Sequence, residues 1–146
     1  MLHNLQELSD ISNFLPLVHH TKAEGYRFIT ITAVDDADND NFDLYYHFDK
    51  ELELKQIKIS LKRGSSIPSI SYIYEAAFLV ENEIKELFGV NITDISIDYG
   101  GALLLSNADL NAPMASGNII IERVDDNGNI IEEPAADTSG KEEENA

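Results

Sequence analysis

An α+β fold follows from three features of the sequence: two strand-like runs, one strongly helical run and an acidic C-terminal end without apolar periodicity. Phe42, Leu44, Tyr46 and Phe48 alternate with Asp43, Tyr45 and His47, the period-two pattern of a half-buried strand. Leu52, Leu54, Ile57, Ile59 and Leu61 repeat the pattern, with a slip at Gln56 that predicts a bulge. Asp49-Lys50-Glu51 is short enough to join the two as an antiparallel hairpin. A third strand, Tyr26 to Val34, is rich in aromatic and β-branched residues and joins the same sheet.

Before the sheet, Leu2, Leu5, Leu8, Ile11, Phe14/Leu15 and Val18 recur at steps of three and four, which predicts an N-terminal helix broken near Phe14 by Pro16. After it, Lys62 to Ser66 forms a crossover into Ile67-Pro68-Ser69, and a helix is predicted from Ile70 to Phe88. Gly89 supplies its stop. Ile92 to Ile97 and Ala102 to Leu105 are short apolar segments around Gly100-Gly101, and Asn111 to Gly117 reads as irregular chain. A late hairpin is expected about Asn127-Gly128, with arms at Asn118 to Val124 and Asn129 to Glu132. The division is one α+β domain, residues 1–131, and an acidic disordered tail, 132–146, too poor in apolar residues to offset its ordering entropy.

Charge excludes some functions. Ten Lys and Arg stand against 27 Asp and Glu, a formal net charge of −17, so nucleic acid and anionic membrane surfaces are repelled. With no cysteine, the chain forms no disulfide and holds no iron–sulfur cluster through thiolates. No apolar run approaches the roughly 18 residues of a spanning helix, and Met1 to Leu8 lacks the basic start of a secretory signal.

Asp35 to Asn41 carries four aspartates and two asparagines. Counted from Asp36, the calcium-loop pattern fails at Asn41, where glycine belongs, and at His47, where glutamate belongs, so a solvated acidic loop is expected. His19 and His20 are sequence neighbours that neither helix nor strand geometry brings easily to one face, and no metal site is expected of them or of His3 and His47. Neither a nucleophile motif nor a glycine-rich phosphate loop is present.

The helix is the informative element. With about 100° per residue, Ile73, Ala76, Ala77, Val80, Ile84 and Leu87 form one stripe. Glu81 and Glu83 fall on its two shoulders, Asn82 falls opposite, and Glu81 is placed to pair with Lys85. Two glutamates so far apart do not share a substrate atom, which argues against a carboxylate hydrolase. Tyr74, Phe78 and Leu79 project away from the stripe, an arrangement that predicts a docked helix.

Ile67-Pro68-Ser69, Ala77 and Glu81-Asn82-Glu83-Ile84-Lys85-Glu86-Leu87-Phe88-Gly89-Val90 resemble the signature of the 30-kDa subunit family of respiratory complex I, the NADH dehydrogenase. The same module occurs in the complex-I-like, energy-converting membrane-bound nickel–iron hydrogenases. The resemblance spans Phe42 to Val90. Asn82 stands where the family has arginine, Lys85-Glu86 replaces an aromatic–aspartate pair, and no tryptophan or basic continuation is present. These departures suit the hydrogenase branch better.

The resemblance implies a non-catalytic structural subunit without a cofactor of its own, packed beside a hydrogenase large-subunit-like protein and an iron–sulfur small-subunit-like protein. Those partners would carry the nickel–iron centre and the iron–sulfur clusters. The complex would couple electron transfer to ion translocation, with this chain cytoplasmic and peripheral on the inner face of the cell membrane. Its expected partner-binding residues are Tyr74, Phe78, Leu79, Glu81, Asn82, Glu83, Phe88 and Gly89. The alternative is a free-standing acidic protein-binding module or assembly factor using the same helix.

Overall fold

The structure, a computed structural model, describes residues 4–105 and 111–115, together with the backbone of 123–124 and 130–131. Its centre is a four-stranded sheet in the order β1-β4-β3-β2. These strands are β1 (Asn4–Leu8), β2 (Arg27–Asp36), β3 (Asn41–Lys50) and β4 (Glu53–Lys62). Strands β2, β3 and β4 are antiparallel neighbours, while β1 adds to β4 in parallel. The fold is α+β with a mostly antiparallel sheet, as the sequence predicts.

One face of the sheet carries Ile31, Phe42, Leu44, Tyr46, Phe48, Ile57, Ile59 and Leu61, all buried. Helices α1 (Phe14–Ala23) and α2 (Ala77–Phe88) cover that face. Phe14 lies against Tyr46 with ring centroids 4.8 Å apart, and Ala77 and Ile84 of α2 belong to the same core. Each large apolar side chain so enclosed contributes roughly 1.5–3 kcal/mol.

The N-terminal segment is not one broken helix. Asn4–Leu8 is a strand, Ile11–Asn13 a 3-10 turn, and α1 begins only at Phe14. The edge of β4 offers unpaired backbone groups, and β1 satisfies them from Asn4 opposite Lys55 to Leu8 opposite Ile59. Pro16 is then the third residue of α1, inside the first turn where a missing N–H costs no helical bond.

No bulge occurs at Gln56, because β3 and β4 pair without interruption from Asn41–Lys62 to Lys50–Glu53. The inward row continues through Lys55 instead. Its aliphatic stem is buried while its ammonium pairs with Glu24 at 2.7 Å, so a charged residue fills an apolar position. The register shift lies in β2, between Phe28 and Thr30. The β3–β4 turn is formed by Glu51 and Leu52 rather than by Asp49-Lys50-Glu51, and both residues have positive φ, at 50° and 71°.

In the Asp35–Asn41 loop, Arg63 is the organising residue. Its guanidinium pairs with Asp35 and Asp40 and lies 4.4 Å over the Phe42 ring. The loop is therefore tied to the end of β4 rather than only solvated. A short parallel pair, β5 (Ser66–Pro68) with β6 (Asn91–Thr93), brackets α2, and β7 (Arg123–Val124) pairs antiparallel with β8 (Ile130–Ile131). The tail, 132–146, lies outside the described residues, as do most of the arms and the Asn127-Gly128 turn expected of the late hairpin.

Candidate functional site

Helix α2 is shorter than its sequence pattern. Residues 71–76 run through turns, and the helix proper starts at Ala77. Side chains satisfy backbone donors ahead of it, and the Tyr74 N–H donates to Ile70 O at 2.8 Å. The Glu81 carboxylate accepts the Ile70 N–H at 2.8 Å, and the Ser69 hydroxyl accepts the Ser71 N–H at 2.9 Å. Gly89 does end the helix, in the left-handed conformation with φ 73°, its N–H donating to Lys85 O at 3.1 Å.

Tyr74 lies ahead of the helix proper, and neighbouring chain covers Glu81 and Asn82 within it, so the wheel-based exposure of these residues is overturned. Tyr74 is buried rather than outward: its ring packs on Phe48 and Phe28, and its hydroxyl donates to Tyr26 O at 2.8 Å. Burial pushes that hydroxyl's pKa up to about 12. Phe78 and Phe88 are half-buried against the core, whereas Leu79 and Glu83 face outward. Glu81 is not a shoulder residue, since none of it is exposed, and Asn82 is buried too.

Glu81 joins α2 to the Pro68-Ser69 crossover. Its second oxygen accepts the Ser69 hydroxyl, and that hydroxyl lies 2.6 Å from Ser71 Oγ, which in turn accepts the Ser96 N–H at 2.8 Å. Burial pushes the Glu81 carboxyl above its ordinary pKa, against the opposing effect of the Ser69 and Ile70 hydrogen bonds. The neighbouring Tyr46 hydroxyl is buried without a hydrogen-bond partner among the described residues. Its pKa is raised by burial first and by the Glu81 charge second.

On the next face of α2, Asn82, Lys85 and Glu86 hold a strap of the following chain. Asn82 Nδ2 donates to Phe78 O and to Ile97 O, both at 2.7 Å, and its Oδ1 accepts the Tyr99 N–H at 2.9 Å. Lys85 pairs with Asp98 at 2.7 Å, not with Glu81 as the i,i+4 spacing suggests. The buried Glu86 carboxylate accepts the N–H groups of Leu103, Leu104 and Leu105. Burial raises the Glu86 pKa, but the N–H groups of Leu105, Leu104 and Leu103 outweigh it and hold the carboxyl below its ordinary value. Asn82, Lys85 and Glu86 together fix residues 97–105 on the helix.

Sequence reasoning missed Ser69, Ser71 and Glu86 as organising residues. The signal for the serines was their place beside Pro68, where a short hydroxyl side chain satisfies backbone in turns. Chemically, the arrangement clamps backbone. Both Glu81 oxygens are occupied and sealed from solvent, while Glu83 is exposed, so these two carboxylates do not meet at one substrate. Among the described residues no group of three His, Asp or Glu side chains could hold a metal ion, and no helix is long and apolar enough to cross a membrane.

Comparison with known proteins agrees with this architecture. Among solved structures, a chain in the structure of the membrane-bound sulfane sulfur reductase (MBS), an archaeal respiratory membrane complex, is similar in fold. The TM-score is 0.64 at 22% identity, over 79% of this chain and 71% of that chain. No curated protein sequence matches. Residues 7–98 match the family described as respiratory-chain NADH dehydrogenase, 30 Kd subunit, a span from β1 through the start of the strap that covers more of the chain than the Phe42–Val90 resemblance. The chain belongs to the family of the 30 kDa subunit of respiratory-chain NADH dehydrogenase.

Proposed function

We propose that this chain is a non-catalytic structural subunit of a complex-I-like, energy-converting membrane complex of the hydrogenase type, and that it packs against the nickel–iron large-subunit-like protein. The family match over residues 7–98, which includes the sheet, both helices and the Glu81-clamped crossover, carries the subunit part of this reading, and the hydrogenase type rests on the departures at Asn82, Lys85 and Glu86. The fold likeness to a chain of an archaeal respiratory membrane complex supports a place in a membrane-bound assembly. The nickel–iron centre and the iron–sulfur clusters belong, in this reading, to partner subunits. This chain has no cysteine with which to hold a cluster through thiolates, and it stays at the cytoplasmic face through its partners.

Native electrophoresis of gently solubilised membranes, with mass-spectrometric identification of the band containing this chain, tests the proposal. Migration with a hydrogenase large-subunit-like and an iron–sulfur subunit is expected. Migration of the chain alone, or association that disappears from the mature complex, would favour the assembly-factor alternative.

A further inference from the structure

We infer that the strap of residues 97–105, bonded to α2 through Asn82 and Glu86, is, with Leu79 one helical turn before Asn82, the surface through which this chain docks a partner protein whose apolar patch is rimmed by lysine or arginine. The inference rests on the subunit reading above and assigns the contact to a particular face.

Three observations carry it. First, large apolar side chains are exposed on α2 and on the segments it holds: Leu79 is 48% exposed, Ile97 50% and Leu104 57%, with Tyr99 and Met114 also exposed. All but Leu79 belong to segments bonded directly to α2. Ile97 O and the Tyr99 N–H meet Asn82, the Leu104 N–H meets Glu86, and the Met114 N–H donates to Leu87 O at 2.7 Å. A group of exposed apolar residues differs from a scattered one in marking an interaction site.

Second, the strap is fixed before any partner arrives. The N–H groups of Tyr99, Leu103, Leu104 and Leu105 are taken by buried side chains of α2, and those of Gly100 and Ala102 bond within the strap, so docking there would require little further ordering of backbone. Third, the surroundings are acidic. Glu75 and Glu83 stand four residues either side of Leu79 and are exposed, as is Asp94, while Glu75 also shares a surface hollow with Lys22 and Arg27. The nearby cation Lys85 is paired with Asp98. Together with the net charge of −17, this disfavours a second copy of the chain and favours a cationic rim on the partner.

A photo-crosslinking amino acid placed singly at Leu79, Leu104 and Thr32, in tagged full-length chain expressed in its own cells, tests the assignment. Thr32 is exposed on the sheet face opposite the helices. Cross-links from Leu79 and Leu104 to another subunit of the purified complex, at segments flanked by lysine or arginine, are expected, with none from Thr32. Cross-links from Thr32 alone, between two copies of this chain, or from none of the three while partners still co-purify would overturn the docking surface and leave the subunit role standing. Recovery of the chain without partners would overturn both. The exposed double variant Glu75→Lys/Glu83→Lys should lower partner recovery about tenfold with an unchanged thermal melt. Unchanged recovery would contradict the cationic rim.

Discussion

The Ile70 backbone N–H donates to Glu81 Oε1 at 2.8 Å, joining the crossover after β5 to the middle of α2. This bond, with the Ser69 hydroxyl on the other oxygen, makes a buried carboxylate the hinge pin between two elements of the core. Removing the carboxylate leaves an amide and a hydroxyl sealed without their acceptor. Glu81→Ala should therefore cost about 3 kcal/mol, read as a lowered midpoint in urea unfolding. Glu81→Gln keeps an acceptor for Ile70 and should cost less than half as much.

The same residue sets a pH dependence. Burial raises the folded pKa of Glu81 above its ordinary 4.5, so the folded chain holds this proton more tightly than the unfolded chain. Its contribution should make stability fall as pH rises from about 4.5 through the raised value. Glu81→Gln should remove that slope. Thermal melts of both proteins across this window check the sign, and a slope unchanged in the glutamine variant would show that Glu81 does not titrate there.

Tyr46 offers an opposite kind of test. Its hydroxyl is enclosed without a partner among the described residues, and the charge it senses is the acceptor-only carboxylate of Glu81. Tyr46→Phe keeps the ring contact with Phe14 and removes the orphan group, so it should stabilise by about 1 kcal/mol. A loss of stability of that size would mean that the hydroxyl is bonded after all.

The β3–β4 turn is strained for its sequence. Glu51 and Leu52 both occupy positive φ, and Leu52 is 89% exposed. Two-residue turns of this geometry favour Asn-Gly. Glu51→Asn/Leu52→Gly should stabilise by about 1–2 kcal/mol without changing strand pairing, as measured by the melting midpoint.

Much of the sheet is legible in the sequence because period two survives in β3 and β4 even where Lys55 occupies an inward position. The N-terminal strand is not. Leu5 and Leu8 fit a helical step, and β1 is specified by the open edge of a strand some fifty residues later, a relationship that local pattern does not carry. The helical pattern overruns α2 at its start for a similar reason. The apolar period runs through Ile73 and Ala76, but residues 71–76 form turns, and the N–H groups of Ile70 and Ser71 leading into them are tied to Glu81 and Ser69. Tyr74 then lies outside the helix proper, while the crossover and the strap cover Glu81 and Asn82 within it. Of the residues expected to meet a partner, Leu79 and Glu83 remain exposed on α2, while Tyr74, Glu81 and Asn82 turn inward to hold the crossover and the strap.

Asn82 is the most informative position for that division of labour. It bonds Ile97 and Tyr99 from a buried side chain, so Asn82→Ala should release the strap and cost about 2 kcal/mol. Hydrogen exchange should speed up at Tyr99, whose N–H loses its acceptor, and leave the amides of β3 unchanged. Faster exchange across β3 as well would mean that Asn82 supports the whole core.

The proposed membership in a metal-bearing membrane complex, held through partners, is open to direct measurement. Iron and nickel are quantified in the complex that co-purifies with the tagged chain from solubilised membranes, and again in the chain purified alone. Iron and nickel are expected in the complex and neither in the isolated chain. A metal-free preparation in which this chain is the sole component would contradict the proposed role.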